Sequence, residues 1–129
     1  MKNSPSVDAW LKEAKEDGSA PQCGMYLTHN GIVRSDARAK VRENDENTLP
    51  VRAMLFSYDE DKVNAAVAQT YCMPGIYYVR TWLNEGELHP GDDIMFVLIG
   101  GDIRPHVVDA LQFLVGELKS HCVEEKEIF

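Results

Sequence analysis

The chain is poor in cysteine and short of basic residues, and it has no long apolar run. Its three cysteines, Cys23, Cys72 and Cys122, are odd in number, far apart and without CxxC spacing. That pattern argues against a disulfide framework and a cysteine zinc site, and it fits a reducing cytoplasm. Thirteen Lys and Arg stand against 21 Asp and Glu, a formal net charge of -8. Nucleic-acid coats and proteins of anionic membrane surfaces need the opposite balance, although an acidic average can still conceal a basic pocket. No apolar stretch approaches the roughly 20 residues of a membrane span, and Met1-Lys2-Asn3-Ser4-Pro5 lacks the apolar core of a signal peptide. A soluble, non-exported, cytoplasmic protein is expected. The four histidines, His29, His89, His106 and His121, form no ligand pair at i,i+4, so surface or capping roles are expected for them and no metal site. No repeat and no low-complexity tract is present.

With 129 residues, 44% of them apolar, the chain has room for one domain (1–129) and one core. The organising stretch runs from Gly86 to Lys119. Pro90-Gly91 is turn chemistry, and Ile94-Met95-Phe96-Val97-Leu98-Ile99 reads as a strand buried on both faces. Val107, Leu111, Leu114, Val115 and Leu118 then recur at helical spacing, with Asp102 as the expected cap and Pro105 in the first turn. Upstream, Ser4 or Ser6 caps a helix that ends at Asp17-Gly18, and from Gly24 to Val33 the pattern reads as a strand interrupted by His29-Asn30-Gly31. The polar segment from Ser35 to Leu49 reads as a solvated loop. Val51 to Tyr58 reads as a strand inside the sheet, Asp59 caps a short helix, and Ile76 to Leu83 is a further strand. Strands in adjacent pairs separated by helices indicate an α+β domain, its mainly antiparallel sheet covered by helices on one side.

Four basic residues stand out by position. Arg34 lies at a strand end, Arg104 at a strand-to-helix junction, and Lys119 and Lys126 are seven residues apart. That spacing is close to two helical turns and gives the lysines a common face if the last helix continues. Together the four form a candidate anion site, weighed against charges that are merely solvated at element ends. Cys122, near both lysines, reads either as an activated thiol or as a small buried hydrophobe. Gly100-Gly101 reads either as a phosphate cradle or as a tight exit from the strand.

Gly86-Glu87-Leu88-His89-Pro90-Gly91-Asp92-Asp93-Ile94-Met95-Phe96-Val97, then Arg104, Asp109-Ala110-Leu111-Gln112-Phe113-Leu114 and Leu118-Lys119, resemble the MoaE family, the large catalytic subunit of molybdopterin synthase. Gly31-Ile32-Val33-Arg34 is similar to an early Gly-x-Val-Arg motif of that family. The resemblance implies a MoaE-like fold of the α/β-hammerhead type. It also implies sulfur transfer from a thiocarboxylated, small ubiquitin-like (MoaD-like) partner to a cyclic pyranopterin monophosphate. Lys119 and Lys126 would then be catalytic, Arg34 and Arg104 would bind substrate, and no metal or cofactor would be held by the protein itself. A homodimer within a heterotetramer is implied as well. The chain departs from the family at Ile103, where the family has His, at Leu83-Asn84, where it has His-Arg, and at Val123-Glu124-Glu125, where it has Pro-Phe-Trp. These departures keep open a second reading, a non-catalytic relative that binds a phosphorylated small molecule or a ubiquitin-like partner. A third is a dimeric scaffold without a ligand.

Overall fold

The computed structural model describes residues 1–44, 46 and 49–129. The elements are α1 (Val7–Glu16), β1 (Met25–Ile32), α2 (Arg38–Glu43), β2 (Ala53–Tyr58), α3 (Glu60–Tyr71), β3 (Ile76–Leu83), β4 (Gly86–Leu88), β5 (Asp93–Gly101), α4 (Arg104–Glu117) and β6 (Val123–Ile128). A 3-10 turn spans Ala20–Gln22, and a π-helical turn, Leu118–Cys122, joins α4 to β6. Two antiparallel sheets result, one ordered β1-β5-β3 and the other β4-β2-β6.

The apolar run forms the centre of the first sheet. Every residue of β5 from Ile94 to Gly101 is buried, because the strand is paired on both edges and covered on both faces. Its alternation divides the core. Met95, Val97 and Ile99 face α3 and α4 with Val107, Ala110, Leu114 and Leu118. Phe96 and Leu98 face α1, where Trp10 meets Phe96 edge-on. Each fully buried aliphatic side chain contributes roughly 1.5–3 kcal/mol, so this strand is the heaviest single source of stability. The turn that delivers the chain into it closes with Asp92 N–H donating to His89 C=O at 2.9 Å, and Gly91 takes a φ of +96° that other residues avoid.

The interruption expected at His29-Asn30-Gly31 does not occur, since these residues pair with Val97, Phe96 and Met95 inside β1, but several other local expectations are met. Ser6 caps α1 by accepting from Ala9 N–H at 3.2 Å, and Asp59 caps α3 by accepting from Lys62 N–H at 3.2 Å. β2 lies inside its sheet, between β4 and β6. At α4 the residue pattern misplaces the cap. Ile103 occupies that position without a side-chain bond, and Asp102, one residue earlier, accepts from Ile103 N–H at 2.6 Å and pairs with His106 at 2.7 Å. These two contacts hold the Asp102 carboxyl below its usual range, with His106 the larger cause. Gly101 is required by close approach, since a Cβ there would lie 2.5 Å from Gly75 O and 2.7 Å from Val107 Cγ2. The segment from Ser35 to Leu49 contains the short helix α2, and Asp45, Asn47 and Thr48 of the expected loop lie outside the described residues.

The C-terminal end differs most from expectation. α4 stops at Glu117, the π turn widens the backbone, and the chain continues as a strand. In the turn Leu118 and Cys122 point into the core while Lys119 stays exposed. The helical face proposed for Lys119 and Lys126 therefore does not form.

Candidate functional site

The two sheets meet at a narrow cavity of about 60 Å³, the space of roughly two waters. Met54 of β2 and Ile94 and Met95 of β5 give it an apolar wall, and Gly31 and Ile32 of β1 complete one side. The rest is charged. Arg34 follows β1, Arg38 and Arg42 stand one helical turn apart on α2, Lys119 comes from the π turn, and Glu125 and Glu127 come from β6. Four cations against two carboxylates leave a local surplus of positive charge in a chain whose total is -8. A concave surface of that sign concentrates anions.

The carboxylates are already engaged. Arg38 is ion-paired with Glu125, and its backbone N–H donates to Glu127 at 3.1 and 3.3 Å from the two carboxylate oxygens. β6 thus ties α2 to the cavity wall. Strand alternation explains the arrangement. Glu125 and Glu127 lie on the face shared with Phe56 and Met54, and Lys126, opposite Leu55, points the other way.

Arg34 and Lys119 are therefore brought together, and Arg104 and Lys126 are not. Lys126 lines a separate groove of about 550 Å³ with Leu55, Gly86, Glu87 and Glu124, although Glu125 borders both spaces. Arg104 opens α4, and Lys119 lies beyond its other end. Fourteen helical residues separate them by about 20 Å. The residue pattern places Arg38, Lys40 and Arg42 in a charged loop able to close over an anion, outside the four candidate site residues, and of these Arg38 and Arg42 line the cavity. Their i,i+4 spacing was the available signal.

Two further groups complete the surroundings. His29 of β1 is half-buried, and burial first and the charge of Lys119 second push its pKa below the ordinary value. Cys122 lines a third space of about 610 Å³ with Tyr58, Asp59 and Lys62. Burial above all, then the nearby Glu117 carboxylate, raises its thiol pKa, which corrects the activated-thiol alternative and supports the small-hydrophobe one. Gly100 and Gly101 serve packing, as a Cβ on Gly100 would lie 2.6 Å from the Tyr26 ring. Among the described residues no group of three His, Cys, Asp or Glu side chains is placed to hold a metal ion, and no helix is long and apolar enough to cross a membrane.

Two antiparallel sheets with a cavity of surplus positive charge at their junction define an α+β protein. The sequence matches the family model described as MoaE protein over residues 2–121, and the chain belongs to that family. Among solved structures, the molybdopterin biosynthesis MoaE protein from Burkholderia ambifaria is similar at 18% identity and a TM-score of 0.73, over 98% of this chain and 84% of the other. Molybdopterin synthase from Staphylococcus aureus is similar at 14% identity and a TM-score of 0.73, over 98% and 87%. A complex of subunits 1 and 2 of molybdopterin-converting factor from Helicobacter pylori is similar at 14% identity and 0.67, over 98% and 81%. At these identities the likeness is one of fold. A comparison with curated protein sequences finds no match.

Proposed function

We propose that the chain acts in molybdenum cofactor biosynthesis as the large subunit of a molybdopterin synthase, moving sulfur from a thiocarboxylated small partner to a cyclic pyranopterin monophosphate. Membership of the MoaE family supports the pathway, and its fold neighbours include a molybdopterin biosynthesis MoaE protein and a molybdopterin synthase. The single observation that carries the reading is the meeting of Arg34 and Lys119, distant in sequence, in one cavity with Arg38 and Arg42. Arginines hold a phosphate through paired N–H donors, and Lys119 places an ammonium where charge develops on the acyl sulfur. The fold neighbour solved as a complex of two subunits supports a small MoaD-like partner.

Lys126 and Arg104 enter this reading through assembly. Glu125 borders both the groove of Lys126 and the cavity, and an extended C-terminal tail reaching both lysines has to pass around the edge of β6. Arg104 joins a site only across an interface with a second copy, as a homodimer within a heterotetramer provides. The protein supplies no metal or cofactor of its own, and a cytoplasmic location belongs to the same reading. Incubating the purified chain with a thiocarboxylated small subunit and the cyclic pterin tests it. Dithiolene product supports the reading, and absence of product with both substrates bound refutes it. The two carboxylates on the cavity wall and the exposed Ile103 favour the second reading, a non-catalytic relative, in which the pterin phosphate binds and no sulfur moves.

A further inference from the structure

The segment ahead of α1 is tied to both sheets, and its attachment centres on one cation. The Lys2 ammonium donates to the Tyr58 hydroxyl at 2.8 Å, and it stands 4.8 Å from the centroid of that ring and 5.5 Å from the centroid of the Trp82 ring. Both distances lie within the reach of a cation–π attraction. Tyr58 ends β2 and Trp82 belongs to β3, so the two rings come from different sheets. Each ring is held from behind. Trp82 packs on Phe96 at 5.8 Å between centroids, and Tyr58 packs against the main core. The backbone of the segment is held as well. Lys2 N–H donates at 2.8 Å to Asn84 Oδ1, and Asn84, 1% exposed, also accepts from Glu85 N–H and donates to Asp93 C=O, each at 2.8 Å. Ser4 Oγ donates to the Asp93 carboxylate at 2.6 Å. A buried amide is costly unless its groups are bonded, and one of the bonds that satisfy Asn84 comes from the segment itself.

We propose that Tyr58, Trp82 and Asn84 form a binding site for a primary ammonium carried on an extended backbone, and that Lys2 fills this site within the same chain. Two π faces and a hydroxyl oxygen take the ammonium, and the Asn84 side-chain oxygen takes the N–H of the residue that carries it. The ligand class follows from these groups. Among the described residues no carboxylate is ion-paired with Lys2, so the rings and the hydroxyl supply the attraction. Filled, the site is a clasp. One residue joins β2 to β3 and to Asn84, and Asn84 and Ser4 carry the connection to Asp93 at the start of β5. Emptied, the site is open to an ammonium from solution, and the segment loses its anchor. The inference stands apart from the reading of the anion cavity, because none of the cavity's residues takes part.

The test uses the full chain with residue 2 changed, and n-butylammonium, the side chain that Lys2→Gly removes, as the probe. Binding is read from the Trp82 indole N–H resonance. In Lys2→Gly the probe is expected to shift that resonance to saturation with a Kd on the order of 10 mM, the range of a small cation held by two rings and one hydrogen bond, and n-butanol is expected to leave it in place. In the native chain the tethered lysine competes, and the shift at the same probe concentration should be at least about tenfold smaller. A second measurement separates charge from packing. Lys2→Met keeps an apolar stem and removes the cation, so the hydrogen-exchange protection of the residue 2 backbone amide, bonded to Asn84 in the native chain, should fall about five- to thirtyfold, with Lys2→Arg keeping most of it. Equal shifts from n-butylammonium and n-butanol in Lys2→Gly, or no shift from either, overturn the proposal. Equal protection in Lys2→Met and the native chain overturns it as well.

Discussion

The Arg38 guanidinium and the Glu125 carboxylate form an ion pair that joins α2 to β6 at the cavity wall, with the Glu125 side chain 12% exposed and that of Arg38 48%. One of the four cavity cations is thus engaged before any guest arrives, and the space left is about 60 Å³.

Replacing Glu125 by Gln releases Arg38. The Arg38 side of the pair is solvent-exposed and Gln keeps the size and hydrogen-bonding oxygen of Glu125, so the fold tolerates the change at a cost on the order of 1 kcal/mol and the freed guanidinium becomes available to an anion. Inorganic phosphate is expected to bind about three- to tenfold more tightly to Glu125→Gln in isothermal titration. Equal or weaker binding shows that Glu125 does not compete with the guest.

Gly101 separates a packing role from a phosphate-cradling one. Gly101→Ala forces a Cβ against Gly75 O and Val107 Cγ2, and overpacking of this kind costs about 1–3 kcal/mol. Denaturant unfolding should show that loss with phosphate affinity unchanged. Unchanged stability with lost phosphate binding would instead assign the glycine to the ligand.

The imidazole of His29 gives stability a pH dependence. Its folded-state pKa lies below the ordinary value of about 6.5, so the unfolded chain takes up this proton more readily. The stability linked to this group is fully present above about pH 6.5 and falls as pH drops through the folded value. Thermal melts from pH 7.5 to 5 should fall more steeply for the native chain than for His29→Gln. Parallel curves would show that the ring titrates normally.

Much of this architecture was legible in the residues, for reasons that also explain the misses. The six apolar residues after Pro90-Gly91 had one low-cost fate, the centre of a sheet, and β5 is there. Arg34 and Lys119 were placed by residue pattern and family resemblance, and they share a cavity. Lys126 was read on a continuing helix because Val123-Glu124-Glu125-Lys126-Glu127 has neither strong β-propensity nor a stop signal. The π turn that ends α4 is a backbone event set by burial of Leu118 and Cys122, and no single residue announces it. α2 was missed because six residues form a helix only when packing holds them, and here the hold is Glu125 and Glu127, 87 and 89 positions beyond Arg38. His29 was read as a surface or capping residue. Its period-2 relation to Gly31 and Val33, on the inner face of the strand, was the available signal.

Arg104 tests assembly. If it serves a site in a second copy, neither Arg104→Ala nor Lys119→Ala homodimers transfer sulfur, and a mixture of the two regains up to about a quarter of native turnover, because half of the dimers are mixed and each carries one intact site. No recovery in mixed dimers would place Arg104 outside the reaction.

The most direct measurement is the rate of sulfur transfer by Lys119→Ala, supplied with thiocarboxylated small subunit and cyclic pterin. Lys119 is exposed, so the unfolding free energy should change by no more than about 0.5 kcal/mol, the range of neutral surface changes. Turnover should fall at least about a hundredfold, the usual effect of removing a charge that stabilises a transition state. Native turnover in a folded Lys119→Ala protein would contradict the account.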